Sequence, residues 1–181
     1  NLNTITIGVG LTEIVSGLFS NLNNLENITI GRGVTKIGDN AFKNCGSLTS
    51  IAIPDSVKSI GSGIFAGCTS LKSISLGVNI DSINKEMFTG CDSIEQFSGK
   101  FASEDGYTLV SNGMLIAFAK ACGLQEYTIS ANITHIEDRV FANCTNISLF
   151  RFESTTPPTL GANVFAGIEN LQISIPVEAV E

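Results

Sequence analysis

Phenylalanine recurs along this chain on a fixed beat. Phe19, Phe42, Phe65, Phe88, Phe118, Phe141 and Phe165 are separated by 23, 23, 23, 30, 23 and 24 residues. The beat carries company. Six residues after each Phe stands a branched aliphatic, namely Leu25, Leu48, Leu71, Ile94, Leu124, Ile147 and Leu171. Three after it stands Leu22, Cys45, Cys68, Cys91, Ala121, Cys144 or Ile168. Five before it stands Ile14, Ile37, Ile60, Ile83, Ile136 or Leu160, with Gly113 as the exception. A unit of about 23 residues that holds one short apolar run cannot bury its own apolar face, so successive units must stack on one another.

The run is Leu-x-x-Ile-x-Ile, whose period of two belongs to a strand. Ile28/Ile30, Ile51/Ile53, Ile74/Leu76, Tyr127/Ile129 and Phe150/Phe152 then point to one side. Equivalent strands in successive coils form a parallel ladder with a rung about every 4.8 Å. Burying each Phe removes about 150–250 Å² from water. Exposing all seven would forfeit most of the core, so the rings are expected to form an enclosed spine.

The pattern V-x-x-I-G-x-x-x-F-x-x-C-x-x-L-x-x-I-x-I-P, read from copies such as Val57 to Leu76, resembles the BspA-like (type 5) leucine-rich repeats of surface proteins. The stretch from Ala102 to Ile129 and the tail Thr155 to Leu160 are similar to segments of secreted members from gut bacteria. The resemblance implies a β-rich leucine-rich-repeat solenoid of right-handed coils, with a parallel ladder on one face and short irregular or 3-10 segments opposite. It also implies export, display at the cell surface, and adhesion to proteins of a host, a matrix or other cells. Residues 1–181 form a single solenoid domain on this reading. Leu2-x-x-Ile5-x-Ile7 is already the strand of an earlier repeat, so the chain is expected to be a fragment of a longer protein. Pro157-Pro158 and the tightened spacing at Leu171 to Ile175 are expected to approach a terminal cap.

The fifth repeat is seven residues too long. Within residues 101–118, Tyr107 to Val110 and Met114 to Phe118 flank Ser111-Asn112-Gly113, and Asn-Gly between apolar runs favours a tight hairpin. Tyr107, Asn112 and Gly113 are its candidate contact residues, if the hairpin protrudes. The alternative is a family-typical elaboration that bends or interrupts the sheet.

Seventeen acids against ten scattered bases give a net charge of −7. That excludes nucleic acid and anionic membrane as natural partners, because both need clustered positive charge. No apolar run approaches the roughly 20 residues of a membrane span.

Catalytic material is thin. His135 is the only histidine, and its phase holds Glu13, Lys36, Ser59, Ser82 and Thr159 elsewhere, which marks a solvated position. No close Cys pair offers a zinc site and no D-x-D-x-D run offers a calcium site, so neither a metal nor a cofactor is expected. Cys45, Cys68, Cys91 and Cys144 share one phase with Leu22, Ala121 and Ile168 and read as small core hydrophobes with free thiols. Cys122 sits in a polar phase and is expected nearer solvent.

If the Ile positions face inward, the alternate positions face out. The candidate strand face is therefore Asn27, Ser50, Ser73, Gln96, Glu126, Leu149, Arg151 and Gln172, with Arg151 the nearest approach to an anchor. The leading expectation is a non-enzymatic, monomeric module that binds protein. An inert spacer array and a glycan-binding accessory module are the alternatives.

Overall fold

The structure of the protein, a computed structural model, describes residues 2–176. It is a solenoid of about seven turns of roughly 23 residues with almost no helix. One wall is the strand face. There Thr4–Thr6 pairs in parallel with Asn27–Thr29. Ser50–Ala52, Ser73–Leu76 and Gln96–Gly99 follow as a second parallel group. Glu126–Ile129, Leu149–Phe152 and Gln172–Ser174 form a third. The register advances by one repeat per rung, so Ile51, Ile74 and Phe97 align. All three are buried while Ser50, Ser73 and Gln96 are exposed, as the pleat requires.

A second set of strands, of two residues each except Met114–Phe118, runs beside the first. Ile14, Ile37 and Ile60 align in one group, and Leu115, Ile136 and Leu160 in another. From here each regular coil turns around its Phe. The residues two before and two after the ring both take positive φ, as at Asn40 (56°) and Asn44 (59°) or Gly63 (62°) and Gly67 (77°). Gly and Asn fill these phases, Arg139 excepted, because most other side chains are strained there.

Between the two walls the rings form the spine. Phe19, Phe42, Phe65 and Phe88 stack at centroid separations of 5.7, 5.9 and 6.0 Å, with planes 8° to 24° apart. Phe42, Phe65 and Phe141 are fully buried. Phe19 and Phe165, towards the two ends of the stack, and Phe88, beside the insertion, are only half-buried. The expected full enclosure therefore holds for Phe42, Phe65 and Phe141 and is incomplete for Phe19, Phe88 and Phe165. At the C-terminal end Leu160, Ile173 and Ile175 remain exposed, so no cap covers them among the described residues.

The cysteine phase has a reason beyond size. The Sγ atoms of Cys45, Cys68 and Cys91 donate to the carbonyls of Phe19, Phe42 and Phe65, one coil earlier, at 3.0–3.1 Å. The weak thiol donor gives the Phe42 and Phe65 carbonyls a second partner beside the amides of Cys45 and Cys68, which Ala or Leu could not supply.

The insertion is where regularity ends. Thr108–Ser111 and Met114–Phe118 pair antiparallel across Asn112 (φ 52°) and Gly113 (φ 77°), both left-handed as the Asn-Gly turn needs. The hairpin does not protrude, which corrects one of the two readings of the sequence. Met114–Phe118 pairs on its other edge with His135–Ile136, and Leu115 to Phe118 are buried in the wall. An apolar strand of this kind gains more from burial than from projecting into water. Leu115, not Gly113, occupies the aliphatic phase, and it precedes Phe118 by three residues where the other coils use five. The fifth coil therefore cuts the corner and lacks the turn around its ring.

Candidate functional site: the strand face

Period-two pleating displays one short polar row per coil, and the exposed alternates are Asn27, Ser50, Ser73 and Gln96 on the N-terminal side. These side chains are short and uncharged, and no ion pair ties them together. On the C-terminal side stand Glu126, Leu149, Arg151 and Gln172. Arg151 Nη2 lies 3.2 Å from Glu126 Oε2, both half-exposed or more, and Leu149 is half-buried beside them. Arg151 is thus engaged on its own surface, in a solvated pair of the kind worth about 0–1 kcal/mol.

The insertion separates the two groups. Gln96–Gly99 and Glu126–Ile129 do not pair with each other. Instead the amide of Phe97 donates to the carbonyl of Gly106 at 2.7 Å, so the loop before the hairpin lies along the free edge. Gly106 has φ 75°, and a Cβ there would meet Gln96 Cγ and Nε2 at 3.0 Å, so glycine is what lets the loop approach. Asp105 organises that loop. Its carboxylate accepts from Ser103 Oγ (2.5 Å), the Tyr107 amide (2.9 Å) and Tyr127 Oη (3.2 Å). Burial pushes the Tyr127 phenol up to about 12, so it stays a donor at neutral pH. The sequence marked Glu104-Asp105-Gly106 as a turn, but nothing in it showed that Asp105 would bind Tyr127 across 22 residues.

The other predicted contact residues are divided by burial. Asn112 is exposed at the hairpin tip, while Gly113 and Tyr107 are half-buried, with Tyr107 packed against the core. His135 lies on the second wall, its Nδ1 2.7 Å from Thr159 Oγ1 in the next coil. Cys122 is the half-buried thiol and the other four are buried. Burial pushes the Cys91 and Cys144 thiols up to about 12, which keeps them protonated and unreactive. No group of three or more potential metal ligands occurs among the described residues. No helix among them is long and apolar enough to cross a membrane.

A family model described as the BspA type leucine rich repeat region matches in six copies over residues 1–104 and 115–180. The unmatched segment lies within the insertion. No curated protein sequence matches the chain. Among solved structures, a leucine-rich repeat protein from Eubacterium ventriosum is 18% identical with a TM-score of 0.67, over 96% of this chain and 56% of that one. The pneumococcal vaccine antigen PcpA is 20% identical with a TM-score of 0.64, over 96% and 51%. A leucine rich cell surface protein from Faecalibacterium prausnitzii is 20% identical with a TM-score of 0.55, over 97% and 61%. The chain thus spans between about half and three fifths of the length of these proteins. At such identities the likeness establishes the fold.

Proposed function

The chain belongs to the BspA-type leucine-rich repeat family, and from that premise we propose that it is a non-enzymatic binding module of an exported or cell-surface bacterial protein. Its partner is a protein of a host, a matrix or another cell. The observation that carries this reading is the strand face: exposed polar ladders in register from coil to coil, on a scaffold whose neighbours include a cell surface protein. Short Ser, Thr and Asn side chains leave such a surface able to meet an extended partner through many small contacts, with no single dominant anchor.

One observation favours a second reading. Arg151 is already paired with Glu126, which leaves the face without a free anchor, as an inert spacer would have it. Binding to immobilised matrix proteins and to a glycan array separates these readings, using the parent chain and an Arg151→Ala/Glu126→Ala variant. Saturable protein binding that the double variant weakens supports adhesion through this face. Binding only to saccharides supports a glycan module, and no binding to either set supports the spacer.

A further inference from the structure

In the regular wall opposite the strand face, each turn is stitched to the next by main-chain hydrogen bonds. Asn40, Phe42 and Asn44 donate to the carbonyls of Ser62, Ile64 and Ala66 at 2.8–3.0 Å, and Arg139, Phe141 and Asn143 donate to Ala162, Val164 and Ala166 at 2.8–3.0 Å. The fifth coil supplies no such turn. The carbonyls of Val140 and Ala142, the counterparts of Ala41 and Lys43, which accept from the preceding coil, therefore have no donor among the described residues, although both residues are buried. On the facing coil the amide of Gly90, an exposed residue, has no acceptor among the described residues, and the preceding backbone closes on itself as the 3-10 helix Lys85–Phe88. Buried main-chain groups are ordinarily paired.

The vacated space is a cleft of about 540 Å³, within the range of ligand-binding clefts. Phe88, Ile94, Ile116 and Phe118 contribute apolar lining, and a second hollow of about 460 Å³ adjoins it at Lys85 and Ile116. Lys85 reaches across two coils to Asp138 (2.7 Å) and Glu137 (3.2 Å), and Lys120 pairs with Asp92 (2.8 Å). Arg139, also on the rim, has no acidic partner among the described residues. It is the only non-Gly, non-Asn residue at its left-handed phase, where the other coils use Gly17, Asn40, Gly63 and Asn163. Arg there accepts backbone strain that Asn would relieve.

We infer that this cleft is a docking slot for a short extended peptide segment of a partner protein, bearing an acidic side chain for Arg139. Coils four and six stand about two rungs apart, roughly 9.6 Å, which leaves room for one strand. The segment supplies the missing rung. Its amides donate to the carbonyls of Val140 and Ala142, its carbonyl accepts from Gly90, and small apolar side chains meet the floor. The slot lies on the wall opposite the strand face and is independent of the function proposed for that face.

The test is a titration of the 15N-labelled chain with the blocked peptide Gly-Ala-Asp-Ala-Gly. Two control peptides accompany it, one N-methylated at both Ala and one with Lys in place of Asp. The expected result is saturable shifts confined to the amides around Gly90 and Arg139 to Cys144. N-methylation, which removes two donors, weakens binding by about tenfold or more, and the Lys peptide binds more weakly than the Asp peptide. Arg139→Asn is expected to melt at the same temperature as the parent or higher and to lose the preference for Asp. Absence of saturable shifts overturns the inference. So does unchanged affinity on N-methylation, an unchanged preference in Arg139→Asn, or shifts that map to Ser50 and Ser73.

Discussion

Two packed cores with the same repeat are built differently. In the coils from Leu25 to Phe97 the strands bury aliphatics such as Ile51, Ile53, Ile74 and Leu76, and the rings of Phe42 and Phe65 stack almost face to face with their neighbours. In the coils from Leu115 to Val164 the strands bury Tyr127, Phe150 and Phe152. Phe141 there meets Phe118 edge-on at 5.0 Å, Tyr127 at 6.4 Å, Phe150 at 4.6 Å and Phe165 stacked at 5.5 Å. A shared period fixes which positions are inside. What they pack against depends on whether the facing strands are aliphatic or aromatic and on whether the turn around each ring is present. The insertion lies between the two cores and serves both: Leu109, Ala117 and Ala119 belong to the first, Leu115 and Phe118 to the second, and Tyr107 and Cys122 touch each.

The largest expected effect comes from alkali. Cys91 in the first core, and Cys144 and Tyr127 in the second, have folded pKa values raised to about 12 by burial. The unfolded chain ionises such groups at lower pH and so holds fewer protons than the folded one. Stability is therefore full below about pH 9 and falls as pH rises towards about 12. The hydrogen bond with Cys45, together with burial, also raises the Cys68 thiol, so each core carries two such groups and urea unfolding across that range is expected to show both cores weakening.

Phe141→Ala removes the hub of four aromatic contacts and is expected to cost about 3–5 kcal/mol, at least as much as Phe42→Ala, which interrupts two stacks. Equal or reversed costs in urea would remove the distinction between the cores.

Gly99→Ala acts at the entrance to the insertion. With φ 85° and the Leu76 carbonyl oxygen in the space a Cβ would take, it is expected to cost about 2–3 kcal/mol. A cost near zero would show that the edge strand can shift there.

The cysteines give a finer comparison. Cys91 donates to Phe65, whereas Cys144 makes no such bond among the described residues. Cys91→Ala is therefore expected to cost about 1 kcal/mol more than Cys144→Ala in thermal or urea unfolding. Smallest is Arg151→Ala, whose exposed pair with Glu126 makes a change below about 1 kcal/mol the expected result.

The spine, the strand faces and the buried cysteine phase were legible because each position recurs in several copies, so substitutions within one molecule report its environment. The Asn112-Gly113 turn was legible from local chemistry. The missing turn of the fifth coil was harder to see, because Phe118 keeps its 23-residue spacing to Phe141 and its relation to Leu124. A signal was nevertheless present. The phases two before and two after each ring are Gly or Asn in most coils, but Ile116 and Lys120 stand there in the fifth, and a β-branched Ile is strained at positive φ. The division of the strand face at Gly106 and the engagement of Arg151 by Glu126 depend on contacts across 9 and 25 residues that no repeat phase encodes.

Residue-resolved hydrogen exchange under mildly destabilising conditions tests the account most directly. Two cooperative sets of protected amides are predicted, one running from the coils of Ile28 to Phe97 and one from Tyr127 to Phe152, with different opening free energies and a boundary inside residues 99–118. A single opening free energy shared by all coils, or a boundary at another repeat, would contradict the claim that the insertion divides one solenoid into two cores.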